Sequence, residues 1–130
     1  MTQPILNILV IEDEDLLLQA MTKKLHTAGM HSISCTSGEQ AIDYLENISV
    51  VPDLIWLDYN LEGMDGLAFL EKLKKQPAWR SIPVVVVSNS ASPDKVHNML
   101  ALGANKYLLK AEYRLEQIIE TVKEFVQKKS

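Results

Sequence analysis

Five short runs of aliphatic or β-branched residues punctuate the chain, at positions 5–11, 33–35, 54–57, 84–87 and 107–109. Four of them are apolar on both faces, the pattern of parallel strands covered from both sides. The second alternates polar and apolar residues, as an edge strand does. Between the runs, Leu18, Met21, Leu25 and Ala28 recur at helical spacing, and so do Leu115, Ile118, Ile119, Val122 and Val126. Both sets predict amphipathic helices against a sheet. Ser37 with Gln40 forms a capping box, and Ser92 before Pro93 supplies an N-cap with a first-turn proline. Gly29 and Gly103 stand where helix ends favour a left-handed residue. Met99, Leu100 and Trp56 are expected in the core, with Trp79 over its edge.

Regular alternation of strand and helix implies an α/β fold: a doubly wound parallel sheet with helices on both faces, joined by right-handed crossovers. With the second strand at the edge, the natural order is 2-1-3-4-5. Its topological switch point then lies between strands one and three, where ligands bind at the carboxyl ends.

Composition narrows the function classes. The 130 residues fit one domain spanning 1–130, with a core over about 6–127. Thirteen basic and 17 acidic residues give a net charge of −4, with no basic block to track a phosphate backbone. Nucleic acid is therefore not an expected partner. No apolar run approaches the ~20 residues of a membrane span, and the first residues lack the basic start of a signal peptide. No membrane association and a cytoplasmic location are expected. The lone Cys35 has no internal partner and, on the edge strand, is expected to be half-buried.

Candidate chemistry collects at the strand ends. Glu12 and Asp13 follow the first strand, Asp58 the third, Ser88 the fourth and Lys110 the fifth, all on one edge of the sheet. Three carboxylates at the switch point repel one another unless a cation joins them, and oxygen-only ligands suit Mg²⁺. A carboxylate beside Mg²⁺, flanked by a hydroxyl and an ammonium, is what phosphoryl transfer to an aspartate requires. Asp58 is the expected nucleophile, with Lys110 and Ser88 neutralising and hydrogen-bonding the transferring oxygens. Being already ionised, it needs no general base.

The stretches ILVIEDED at 8–15, PDLIWLDYNLEGMDGLAFL at 52–70, IPVVVVSNSAS at 82–92 and GANKYLLK at 103–110 resemble the receiver domain of two-component response regulators. The resemblance runs from about residue 8 to residue 126 and implies a flavodoxin-like (βα)5 fold. It implies that Asp58 accepts a phosphoryl group from a histidine kinase or phosphotransfer protein. It further implies that Glu12, Asp13, Asp58 and the main-chain carbonyl of Asn60 hold Mg²⁺. Ser88 and Tyr107 match the family's switch pair, and Lys110 matches its lysine. The output is then a changed surface on the last two helices and the fifth strand, read by a downstream protein. No separate catalytic output is expected, whether the receiver is stand-alone and chemotaxis-regulator-like or cut from a longer chain.

Three positions depart from the family pattern. Ala111 follows Lys110 where proline in a cis bond is usual, and a cis bond before a non-proline residue costs ~2.5–4 kcal/mol. Either the bond is trans and the lysine sits differently, or strain is retained. Asn89 replaces a small residue after Ser88, narrowing access to Asp58. Glu62 replaces a proline in the loop after Asp58, which loosens that loop. Asn60 and Ser90, at positions that tune hydrolysis in the family, carry no acid to activate water.

Other readings fit the sequence less well. The order Asp13-x-Asp15, Ser88, Lys110 mimics a haloacid-dehalogenase-like phosphatase with Asp13 as nucleophile, but the late acidic pair and the length are lacking. A phosphorylation-independent pseudo-receiver scaffold conflicts with the full set of acidic, hydroxyl and lysine positions. An EF-hand loop starting at Asp58 has Phe69 where a bidentate glutamate is required. His26, His31 and His97 lack metal-ligand spacing.

Overall fold

A computed structural model describes residues 5–48 and 51–127. The elements alternate as β1 (Asn7–Ile11), α1 (Asp15–Thr27), β2 (His31–Cys35), α2 (Gly38–Glu46), β3 (Leu54–Asp58), α3 (Gly66–Lys75), β4 (Val84–Ser88), α4 (Pro93–Ala101), β5 (Lys106–Leu109) and α5 (Leu115–Gln127). All neighbouring strands are parallel, in the order β2-β1-β3-β4-β5. This is the doubly wound fold and strand order expected from the apolar runs.

Strand alternation sorts the core into two layers. Ile8, Val10, Leu54, Trp56, Val85 and Val87 face α1 and α5, meeting Leu18, Met21, Leu25, Ile118, Ile119 and Val122. Leu9, Ile11, Ile55, Leu57, Val84 and Val86 face the other way, against Ala41, Leu45, Phe69, Leu70, Leu73 and Met99 of α2, α3 and α4. The three central strands are thus buried on both faces, and each large apolar side chain so covered contributes roughly 1.5–3 kcal/mol. β2 is half exposed, as an edge strand should be. Trp79 packs against the second layer while remaining partly exposed.

Local signals set most boundaries. Ser37 accepts from the Gln40 amide at 3.0 Å, but the Gln40 side chain returns to the Thr36 amide (2.6 Å), one residue earlier than a capping box predicts. Ser92 caps α4 by accepting from the Lys95 amide at 3.2 Å, with Pro93 in the first turn. Gly29 and Gly103 adopt φ of +86° and +107° just past α1 and α4.

Four expectations need correction. Ile5 lies outside β1 and is 67% exposed. Leu100 is 45% exposed while its neighbour Met99 is fully buried, because adjacent helical residues point about 100° apart. Cys35 is buried, since it joins the layer that holds Ala41 and Leu45 of α2. β5, expected to be covered from both sides, is only half-buried because it forms the other edge of the sheet. α5 starts at Leu115, with the Gln117 side chain accepting from the Arg114 amide at 2.7 Å.

Candidate functional site

The strand ends are held in place by ladder bonds that continue past the strands. The amide of Glu12 donates to the Cys35 carbonyl (3.1 Å), that of Tyr59 to Val87 (3.0 Å) and that of Lys110 to Ser88 (2.9 Å). Each pins a polar residue, or its neighbour, where the sheet stops. Glu12, Asp58 and Ser88 are 2%, 3% and 0% exposed, whereas Asp13 faces solvent.

Carboxylate oxygens of Glu12, Asp13 and Asp58 lie within 4.8 Å of one another. Every carboxylate has one oxygen fixed by a main-chain amide. Glu14 donates to Glu12 Oε2 (3.2 Å), Asn60 to Asp58 Oδ1 (3.1 Å) and Glu62 to Asp13 Oδ2 (3.3 Å). The remaining oxygens of the two buried acids face Lys110, whose Nζ lies 3.3 Å from Glu12 Oε1 and 3.5 Å from Asp58 Oδ2. Burial pushes the pKa of both Glu12 and Asp58 upward. The Asp58 charge adds to the rise at Glu12, while Lys110 opposes it at both. Three carboxylates against one ammonium, each with unused lone pairs, fit a hard divalent cation. An ion at this point meets oxygen donors only.

Ala111 follows Lys110 through a trans bond, since there is no cis peptide among the described residues. Lys110 nevertheless reaches both buried carboxylates. A proline-fixed loop is therefore not required to deliver the ammonium.

Among the described residues Ser88 makes no side-chain hydrogen bond to Asp58. Its hydroxyl donates to Asn60 Oδ1 at 3.1 Å, and the same oxygen accepts from the Asn89 amide at 3.1 Å. Ser90 then engages all of its polar groups. Its amide donates to Ser88 Oγ (3.2 Å), its carbonyl accepts from the Tyr107 hydroxyl (2.7 Å), and its hydroxyl lies 3.1 Å from Lys95 Nζ. Lys95 also sits 5.0 Å from the centre of the Tyr59 ring, a cation–π distance. Tyr59 and Tyr107 stand 6.3 Å apart at 54°. The predicted residues Ser88, Asn60, Ser90 and Tyr107 thus form one connected network beside the acidic trio.

Sequence reasoning missed Lys95, Tyr59 and Glu39, the last of which accepts from the Met64 amide at 3.4 Å. A signal was available. In a parallel sheet each helix begins at the edge where its preceding strand ends, so first-turn charges of α2 and α4 belong to the same edge as Asp58. The loop that Glu62 was expected to loosen is instead tied to both Asp13 and Glu39.

Comparison with known proteins identifies the family of the chain. The sequence model of the response regulator receiver domain matches residues 8–123. The nitrate/nitrite response regulator protein NarL of Escherichia coli (strain K12) is 36% identical over 105 residues, covering 79% of this chain and 47% of that protein. The gliding motility regulatory protein of Myxococcus xanthus is 31% identical over 118 residues, 90% of this chain and 15% of that protein. The chain therefore spans about half or less of the length of these curated relatives. Among solved structures, the phosphorylated cyanobacterial phytochrome response regulator RcpA aligns with a TM-score of 0.85 at 28% identity, over 98% of this chain and 97% of that one. The family model spans both the acidic trio and Lys110, and on that ground the chain belongs to the response regulator receiver domain family.

Proposed function

We propose that this receiver serves two-component signal transduction by accepting a phosphoryl group on Asp58 from a histidine kinase or a histidine phosphotransfer protein. The observation that carries this reading is the buried Asp58 carboxylate, 3.5 Å from the Lys110 ammonium and grouped with Glu12 and Asp13. An Asp58 oxygen attacks phosphorus, the P–N bond to the donor imidazole breaks, and that nitrogen regains a proton from solvent. Lys110 offsets charge on the transferring oxygens, so positioning and electrostatics carry the step. Glu12, Asp13, Asp58 and the Asn60 carbonyl would hold Mg²⁺, which when bound neutralises the incoming phosphoryl oxygens.

Ser88 reaches a phosphoryl group on Asp58 only by releasing Asn60 Oδ1. That release also frees the Ser90 amide and, through Ser90, the Tyr107 hydroxyl. The network therefore links acceptor chemistry to α4 through Lys95 and to β5 through Tyr107, two parts of the α4, β5 and α5 face that a downstream protein would read. Asn89 narrows the approach to Asp58 for small donors, and Asn60 and Ser90 supply no acid to activate water, so the phosphoryl group persists for minutes or longer.

Labelling with a small phosphodonor or a phosphorylated kinase in Mg²⁺ tests the assignment. Asp58→Asn is expected to abolish hydroxylamine-labile label, since an amide does not displace phosphoryl. Asp13→Asn is expected to alter Mg²⁺ dependence while leaving Asp58 reactive. Label that survives Asp58→Asn and vanishes in Asp13→Asn would overturn the reading in favour of a phosphatase nucleophile at Asp13.

A further inference from the structure

Asp13 is the exposed member of the acidic trio, and its described hydrogen bond comes from a residue 49 positions away, the main-chain amide of Glu62. Repulsion from two buried carboxylates drives such a side chain outward, into water. The Glu62 N–H instead fastens Oδ2, while one oxygen of the same carboxylate stays within 4.8 Å of those of Glu12 and Asp58. The loop that presents this amide is fastened from its far side. Glu39 Oε2 accepts from the Met64 amide at 3.4 Å, and a Cβ on Gly63 would lie 3.0 Å from the same oxygen. Gly63 adopts φ of +73°, and the chain bends there, with the Glu62 amide on a carboxylate of the β1–α1 loop and the Met64 amide on one of α2.

We propose that Glu62 is a positioning residue for Asp13, acting through its main-chain N–H and not through its side chain. It orients Asp13 Oδ2 for a divalent cation, with Glu39 as the anchor that keeps the loop in register. The proposal rests on the reading that Glu12, Asp13 and Asp58 bind Mg²⁺. The resemblance to the family makes this position informative, because the proline usual there has no N–H to give.

Calorimetric Mg²⁺ titration of the full chain, comparing Glu62→Ala with Glu62→Pro, tests the idea. Both variants lose the same side-chain charge, and only proline loses the amide donor. Glu62→Pro is expected to bind Mg²⁺ at least three-fold more weakly than Glu62→Ala. Independently of any metal, Asp13→Ala is expected to speed hydrogen exchange at the Glu62 amide several-fold, a readout that survives if the proline variant does not fold. Equal affinities for the two Glu62 variants, or exchange at Glu62 unmoved by Asp13→Ala, would overturn the positioning role while leaving the metal reading intact. Absence of Mg²⁺ binding by the wild-type chain would overturn the metal reading itself and the positioning role with it.

Discussion

The hydroxyl of Tyr107 donates a 2.7 Å hydrogen bond to the carbonyl of Ser90, so β5 holds the loop that follows β4. Tyr107→Phe keeps the ring and removes this donor. A net loss of about 0.5–1.5 kcal/mol is expected locally, which makes amide exchange across residues 89–91 roughly two- to ten-fold faster. Exchange mass spectrometry on wild type and variant checks it. Unchanged protection in that loop would show that Tyr107 does not restrain it.

Crowded buried carboxylates leave a mark on stability. Burial raises the pKa of Glu12 and Asp58, so around the ordinary carboxylate range the folded chain holds protons that the unfolded chain has released. Their contribution to stability is therefore present at low pH and declines as pH rises through that range, until both groups ionise. In chelator at neutral pH, Asp58→Asn removes one buried charge and is expected to add about 1 kcal/mol, a few degrees in Tm. The difference between the two melting curves is expected to shrink at acid pH. A lower Tm for Asp58→Asn at neutral pH would contradict the crowding.

Gly66 has no room for a side chain. A Cβ there would meet the Tyr59 Cα at 2.8 Å and the Asp58 carbonyl at 3.1 Å, both backbone atoms. The Gly66 amide also donates to the Tyr59 carbonyl at 3.1 Å, closing the loop under Asp58. Gly66→Ala is expected to cost about 1–3 kcal/mol through overpacking. Urea unfolding with an unchanged slope and a lower midpoint would register it, and an unshifted midpoint would argue against such close packing.

Burial pushes the Cys35 thiol up to about 11. Ellman's reagent is therefore expected to react with it only after unfolding, at mildly alkaline pH. Between about pH 9 and pH 11 the unfolded chain forms a thiolate while the folded chain keeps its proton, so stability falls across that window by roughly 2–3 kcal/mol. Cys35→Ala is expected to remove this part of the alkaline decline. Identical alkaline profiles for variant and wild type would contradict the shift.

The strand ends were legible where strands apolar on both faces leave the first polar residue as their boundary, as at Glu12 and Ser88. One edge of the sheet was legible from the run that carried polar residues; the other edge, β5, was not, because its short run is apolar although the strand is only half-buried. For Lys95 and Glu39 the edge of the sheet was legible but the partners were not. A charged residue in the first turn of a helix reads as a solvated dipole partner, and its direction depends on how the helix leans on the sheet. Met99 and Leu100 show the same limit at finer scale, since an apolar pair read along the chain has one member inside and one outside. Nor does spacing show that a main-chain amide, at Glu62, meets a carboxylate 49 residues earlier.

The Lys110 ammonium meets Glu12 across 98 residues of chain, and it follows directly on β5, the last strand in chain order. Contacts of such separation carry a loop-closure cost that ordering of the intervening chain reduces. A half-assembled chain with β1 and β3 in place thus carries the acidic trio without its counter-charge. Asp58 gains its neighbouring cation when β5 docks, so the charge balance of this edge belongs to the complete sheet and to no smaller part of it.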